Sequence, residues 1–429
     1  MQLSVISTLL CLLTTAIAAP VRLQKRDSRW DYSSQQIYGV NIGGWLVLEP
    51  YITPSLFEAF GGDDSTKPID EYHFCQRYGK EQAQQVLENH WSTWITEDDF
   101  EEMAQYGLNF VRIPIGYWAF QTLEEDPYVQ GQVAYLDKAL QWCANHGLKA
   151  WIDLHGVPGS QNGFDNSGLR DDLNWQSVEY YYSLSYSVLG QISKKYAGEA
   201  YQDVVIGIEL VNEPLGPSLD SDMLTEYYNN GYEIVRNHGD APVIIHDGFF
   251  QFDNHWDDVL NTDIDPNVWD VIVDHHHYQI FSVPELQRSL DDRVSFACNI
   301  GVQESNEYHY NLCGEWTAAL TDCAKWLNGM GRGARYDATF QNATPIGSCS
   351  NLYLADYSYF QEESVRSDYR RYVEAQMDAY THSKMMGWVF WCWKTENLIE
   401  WDFKQLVSLN IVPQPLNSRE YYNQCGYDQ

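Results

Sequence analysis

Two glutamates stand directly after predicted β-strands and could form a pair of catalytic carboxylates. Glu213 follows the predicted strand Val204–Val211 in the segment NEP, and Glu315 lies in CGEW at the end of the predicted strand Leu312–Trp316. In a parallel sheet the carboxyl ends of the strands share one edge, so both side chains are expected to face one cleft. Cleavage of a glycosidic bond uses such a pair: one carboxyl protonates the leaving oxygen, and the other attacks the anomeric carbon or activates water. The alternative, two salt-bridged surface acids, leaves the matching strand-end positions unexplained.

Polar and aromatic residues at other predicted strand ends fit the same cleft. Arg112, in the segment RIP of the second strand, is placed to hold the seventh-strand carboxylate ionised and oriented. The third strand ends at His155, the first carries Trp45 and Glu49 near its end, and the last leads to Trp391.

The run His275-His276-His277-Tyr278 on the sixth strand could suggest a metal site. Strand alternation instead places His276 and Tyr278 on one face and His275 and His277 on the other. No carboxylate motif with ligand spacing accompanies them, so we expect no metal and expect His276 and Tyr278 to flank a sugar.

The elements that position these residues alternate between strands and helices. Periodicity predicts helices that include Glu97–Tyr106, opened by Thr96 with a capping-box Asp99, and Tyr135–Asn145. Eight alternations without linker, repeat or low-complexity tract predict an α/β fold, a single (β/α)8 TIM barrel with loop insertions. An open doubly wound sheet is the alternative, which the strand count and the lack of a GxGxxG turn disfavour. The eight predicted strands are Gly39–Leu48, Phe110–Ile115, Lys149–Leu154, Val204–Val211, Val243–Asp247, Val271–Tyr278, Leu312–Trp316 and Trp388–Trp393.

Composition limits the partners of this chain. It has 429 residues with 60 acidic and 26 basic side chains, a net charge of −34, which argues against binding nucleic acid. Aromatic residues make up 15 %, which fits either a tryptophan-rich core or a cleft that stacks on sugars.

The N-terminus has the pattern of a secretory signal. An apolar run ends in small residues at Ala19, which predicts a signal peptide over residues 1–19, a propeptide over 20–26 ending in Lys-Arg, and a catalytic domain over 27–429. The run is too short for a membrane span, so we expect a secreted protein.

Eight cysteines remain after the signal, and their spacing leaves 105 pairings open. Asn342 lies in an N-glycosylation sequon.

The chain closely resembles the fungal secreted exo-1,3-β-glucanases of glycoside hydrolase family 5, from about Tyr38 to Gly426. The resemblance implies a retaining mechanism on a (β/α)8 barrel, with Glu213 as acid/base and Glu315 as nucleophile. We expect the charge of Glu315 to raise the pKa of Glu213. The strings that carry the resemblance are GWLVLEP, FVRIPIGYWAF, DLHGVPGSQNGFDNSG, VNEP, DHHHYQIF, GEWTAALTDCAKWLNG, RGARY and GWVFWCWKTEN.

The resemblance also implies a binding site and a disulfide pattern. Phe164 and Phe281 would clamp the substrate at the pocket mouth, and Asp165 with Arg332 would narrow it. The residues implied to surround the terminal glucose are Glu49, His155, Asn166, Asn212, His276, Tyr278 and Trp391. The implied disulfides are Cys298–Cys425 and Cys323–Cys349, which leave Cys75, Cys143, Cys313 and Cys392 as free thiols.

The expected function is removal of glucose from the non-reducing ends of β-1,3-glucan by a monomer that needs no cofactor. A transglycosylase that passes the same glycosyl-enzyme intermediate to a sugar is the alternative among enzymes. A non-catalytic wall-binding protein on the same scaffold is the alternative from another class, and loss of either glutamate would mark it.

Overall fold

The fold is a closed barrel of eight parallel strands in the order β1 to β8, with β8 pairing back onto β1. The computed structural model describes residues 29–250, 254–341, 344–350 and 358–427. The predicted (β/α)8 barrel is therefore confirmed, and the open doubly wound sheet is wrong. The strands are β1 Ile37–Asn41, β2 Phe110–Gly116, β3 Lys149–Gly156, β4 Val205–Glu209, β5 Val243–His246, β6 Val271–His277, β7 Tyr310–Trp316 and β8 Met385–Phe390.

Helices surround the barrel, and their ends follow the capping signals in the sequence. At the start of the predicted helix Glu97–Tyr106, the Asp99 carboxylate accepts the backbone N–H of Thr96 at 2.9 Å. Gly147 ends α5 in the left-handed conformation, with φ at 74°. The α-helices of the described ranges are α1 Pro54–Glu58, α2 Glu71–Tyr78, α3 Lys80–Thr93, α4 Glu97–Gln105, α5 Gln132–His146, α6 Glu179–Tyr196, α7 Ser221–Arg236, α8 Val283–Leu286, α9 Leu290–Glu304, α10 Glu363–Ala379 and α11 Phe403–Ser408.

The first and the last strand differ most in extent from their predictions. The first strand ends at Asn41 rather than at Leu48, because Gly44 adopts a φ of 65°, which a strand does not tolerate. Trp45 therefore lies in a turn, fully buried, and donates its indole N–H to the carbonyl of Trp91, away from the cleft. The last strand is Met385–Phe390, three residues earlier than predicted, so Trp391 follows the strand.

Aromatic side chains form much of the core. Nine of the 16 tryptophans are among the largest fully buried side chains, so the core interpretation of the aromatic content holds for most of them. At the amino-terminal end of the barrel, Tyr32 donates to the carbonyl of Ile206 at 2.7 Å and accepts the indole N–H of Trp151 at 2.8 Å. Apolar residues from the strands pack beneath these groups and close this end of the barrel.

Two disulfides match the implied pattern. Cys298 is bonded to Cys425, and Cys323 to Cys349. The four implied free thiols are buried.

Among the described residues, no helix is long and apolar enough to cross a membrane. The predicted signal peptide, the propeptide and Asn342 lie outside the described residues.

Candidate active site

A cavity of about 310 Å³ opens at the carboxyl ends of the strands. Ten of the predicted site residues line it, and the other four lie behind its wall, where Arg112, His155 and Asn212 are fully buried and His276 is 3 % exposed. The ten that line the cavity are Glu49, Phe164, Asp165, Asn166, Glu213, Tyr278, Phe281, Glu315, Arg332 and Trp391.

The two candidate catalytic carboxylates meet at one imidazole. Nδ1 of His276 lies 2.8 Å from Oε1 of Glu213 and 3.4 Å from Oε2 of Glu315. These two carboxylate oxygens are therefore at most about 6 Å apart, short of the roughly 6.5–9.5 Å that separates the carboxyl groups of inverting glycosidases. This upper limit favours the shorter carboxyl separation that is typical of retaining glycosidases.

Local backbone geometry aims both side chains. Glu213 has a φ of 45°, a left-handed conformation that is uncommon for a non-glycine residue. On β7, His275 pairs with Cys313 and His276 with Glu315, so Gly314 is an extra residue that bulges the strand just before the carboxylate.

Arg112 and Tyr278 hold the Glu315 carboxylate. Nη1 of Arg112 lies 2.9 Å from one carboxylate oxygen, and the Tyr278 hydroxyl donates to the other at 2.8 Å. Arg112 also donates to Asn212 at 2.7 Å. Burial raises the pKa of Glu315, while the positive charges of His276 and Arg112 act in the opposite direction.

The expected rise in the pKa of Glu213 is wrong for the free protein. Burial favours a higher pKa, but the hydrogen bond and the charge of His276 outweigh it, and the pKa of Glu213 falls to about 2. Asn166 adds a hydrogen bond at 2.9 Å. Burial would lower the pKa of His276, but nearby carboxylates hold it well above its usual range. The proton of this pair therefore rests on the imidazole.

The alternation predicted along β6 is confirmed. His275 and His277 point away from the cavity, where Nδ1 of His275 lies 2.9 Å from Asp247 and Nε2 of His277 lies 2.8 Å from Glu304. The sequence showed no carboxylates with ligand spacing, yet Glu304 at the end of α9 and Glu307 in the turn that follows lie against these two histidines. The arrangement is a buried network of ion pairs between β6 and α9, and the expected absence of a metal stays a prediction.

The mouth of the cavity has contacts that the resemblance did not specify. Arg332 lines the mouth together with Asp165, but its ion pair is with Asp171, at 2.6 Å. Oδ2 of Asp165 is buried without a hydrogen-bond partner, and burial raises the pKa of Asp165 to about 7. Arg170 donates to the carbonyl of Met330 at 2.9 Å, a second link between the loops that follow β3 and β7.

Sequence reasoning missed several residues that line the cavity. Tyr51 accepts the indole N–H of Trp391 at 2.5 Å, and Trp391 stacks on His155 with a centroid distance of 5.6 Å. Aromatic residues in loops carry no periodic signal, so only the folded loops reveal them. The missed lining residues are Tyr51, Arg170, Phe249, Leu327, Asn328, Arg335, Phe340 and Trp401.

Comparison with known proteins agrees with this geometry. Residues 75–325 match the model of the cellulase family, glycosyl hydrolase family 5. A glucan 1,3-β-glucosidase of Pichia angusta is 64 % identical over 416 residues, which cover 97 % of this chain and 94 % of the relative. One of Schwanniomyces occidentalis is 54 % identical over 412 residues, 96 % and 95 % of the two chains. A rutinosidase structure from Aspergillus niger shares the fold, with a TM-score of 0.68 at 20 % identity, over 89 % of this chain and 99 % of that one.

Proposed function

This chain belongs to glycosyl hydrolase family 5, and from that premise we propose that it is a retaining glucan 1,3-β-glucosidase which releases glucose from the non-reducing ends of β-1,3-glucan. The observation that carries the proposal is the approach of two buried carboxylates, Glu213 and Glu315, to the same nitrogen of His276. That spacing suits a double displacement, in which one carboxylate bonds to the sugar and water follows later.

In the first step Glu315 acts as nucleophile and Glu213 as acid. An oxygen of Glu315 forms a bond to the anomeric carbon as the bond to the leaving oxygen breaks, and that oxygen takes the electron pair. The proton shared by Glu213 and His276 passes through Glu213 to the leaving oxygen. Arg112 and Tyr278 keep Glu315 ionised and oriented until the bond forms.

In the second step Glu213, now ionised, acts as base. It removes a proton from water while the water oxygen bonds to the anomeric carbon and Glu315 departs as a carboxylate. The proton returns to the Glu213–His276 pair, so the enzyme regains its starting state. The product keeps the β configuration, because each displacement inverts the carbon once.

The shape of the cavity supports action at chain ends. The link of Arg332 to Asp171 and that of Arg170 to the Met330 carbonyl join the two loops that flank one side of the mouth. Phe164 and Phe281, 40 % and 39 % exposed, offer ring faces to a sugar at the entrance. A terminal glucose would enter until it meets Glu49, which lines the cavity, is 3 % exposed and has its pKa raised by burial.

Secretion, processing and a monomeric state are further parts of this proposal. Two disulfides fit an oxidising compartment, and the sequence over residues 1–26 has the pattern of a signal and propeptide. N-terminal sequencing of the secreted protein should give Asp27, and size-exclusion chromatography should give one chain per particle.

Product analysis on laminari-oligosaccharides tests the function. Incubation should release glucose one unit at a time, and NMR should show the new glucose first as the β anomer. An initial α anomer would refute the retaining mechanism. If longer oligosaccharides were the main product at high substrate concentration, the assigned activity would be transglycosylation instead of hydrolysis. The names of the relatives do not favour that alternative.

A further inference from the structure

We propose that Asp274 is a positioning residue of the catalytic acid, acting through His276 rather than on the substrate. The inference rests on the proposed role of Glu213. Asp274 and His276 are two residues apart on β6, so both side chains point into the barrel. Oδ2 of Asp274 lies 3.4 Å from Nε2 of His276, whose other ring nitrogen lies 2.8 Å from Glu213.

The contacts form a chain of carboxylate, imidazole and carboxylate. The negative charge of Asp274 favours a proton on Nε2 of His276. With Nε2 protonated, the ring can donate an N–H from Nδ1 to Glu213 only when both nitrogens carry a proton. Asp274 thereby holds the ring orientation and keeps the proton of the pair available in the free enzyme. When the glycosidic bond breaks, Glu213 gives a proton to the leaving oxygen, and the imidazole is left neutral.

The barrel is built to accept the Asp274 side chain. A Cβ atom at position 314 would lie 2.0 Å from Oδ1 of Asp274, so the glycine in the bulge of β7 leaves the space that this carboxylate fills. Asp274 is fully buried and has one further charged neighbour at ion-pair distance, Nε of Arg112 at 3.5 Å. The same bulge aims Glu315, which couples the placement of Asp274 to that of the nucleophile.

Other titratable groups lie close to the His276 ring and also influence its protonation. His246 on β5 packs edge-on against His276 with ring centroids 4.4 Å apart, and burial lowers the pKa of His246 to about 4, so it stays neutral near pH 7. The titratable or charged groups that face His276 or Asp274 are Glu213, His246, Glu315, Glu209 and Arg112.

The test compares Asp274→Asn with Asp153→Asn on two substrates. Asp153 is an equally buried carboxylate on Arg112, at 3.2 Å, but its histidine partner is His155, at 2.6 Å. For Asp274→Asn, kcat/KM on laminaribiose should fall roughly tenfold to a hundredfold. This loss is smaller than the roughly hundredfold to ten-thousandfold that general acid catalysis contributes, because Glu213 itself remains. On 2,4-dinitrophenyl β-glucoside, whose leaving group needs no proton, kcat/KM should change less than about threefold.

The pH profile separates a proton-holding role from a structural one. Loss of the negative charge should move the alkaline limb of kcat/KM on laminaribiose to lower pH by about one unit. Asp153→Asn should leave this limb in place and affect both substrates alike. An unmoved limb in Asp274→Asn, or equal losses on both substrates, would overturn the proposal. Failure of the proposed function would instead appear in the unaltered enzyme, as no release of glucose.

Should Asp274→Asn fail to fold, neutron crystallography of the unaltered enzyme decides the point. At neutral pD both ring nitrogens of His276 should carry a deuteron, with the one on Nε2 directed at Asp274. A bare Nε2 would overturn the proposal.

Discussion

Replacing Glu213 by Ala should separate the two steps of the reaction. General acid catalysis contributes about a hundredfold to ten-thousandfold, so kcat/KM on laminaribiose should fall by that factor, or about 3–5 kcal/mol in the activation free energy. An activated aryl glucoside should still transfer glucose to Glu315, because its leaving group departs without a proton. The second step then lacks its base, and the first turnover should appear as a burst.

The structure predicts that azide restores turnover in this variant. Truncation to alanine leaves a space that two donors face: Nδ1 of His276, 2.8 Å from the former carboxylate, and Nδ2 of Asn166, 2.9 Å from it. These donors should hold an anion beside the glycosyl-enzyme, and azide needs no base to attack. The product should be β-glucosyl azide.

Two further variants serve as controls for the roles assigned to Glu213 and Glu315. Glu213→Gln fills the space with an uncharged group, so azide should accelerate it much less than Glu213→Ala. Glu315→Ala should yield the α-azide, because azide then replaces the nucleophile itself. Absence of rescue, or an α-azide from Glu213→Ala, would refute the role of Glu213. A β-azide from Glu315→Ala would reverse the two roles.

Three other changes test the nucleophile and the stability of the fold. Glu315→Gln should bind laminaribiose nearly as well by calorimetry, while turnover falls by several orders of magnitude. Burial raises the pKa of Glu400 to about 7 from 4.5, so the folded chain keeps a proton that the unfolded chain releases. The free energy of unfolding should therefore fall by up to about 1.4 kcal/mol per pH unit as pH rises from 4.5 to 7 in denaturant titrations, and Glu400→Gln should flatten that slope. Replacing both Cys298 and Cys425 by serine opens a loop with a sequence separation of 127 and should cost about 5 kcal/mol of unfolding free energy in the same titration.

The sequence predicts the parts of this molecule that depend on local pattern. Alternation along β6 correctly separates His276 and Tyr278 from His275 and His277, because a strand side chain has only two faces. The capping box at Thr96 and the glycine at 147 are also local signals, and they predict one end of each helix within a residue or two. Strand ends at one rim then bring the two glutamates together without any knowledge of the loops.

What the sequence misses depends on contacts between distant segments. The end of β1 is set by the left-handed Gly44, which apolar alternation through Leu48 conceals. Arg332 forms an ion pair with Asp171, which no local pattern predicts, because two long loops fold against each other. The sign of the pKa shift at Glu213 is wrong for a related reason, since it depends on an imidazole from another strand.

The same geometry explains why the site needs two buried cations. Two carboxylates within about 6 Å repel each other by roughly 3 kcal/mol at an effective dielectric constant of 20, and both are removed from water. His276 offsets this repulsion at Glu213, and Arg112 offsets it at Glu315. Arg112 donates from separate nitrogens to Glu209, Glu315 and Asn212, a fork that the single ammonium of a lysine cannot reproduce. The carboxylate spacing that retention requires is thus stable only because the barrel interior supplies positive charge from β2 and β6, the two strands that carry these residues.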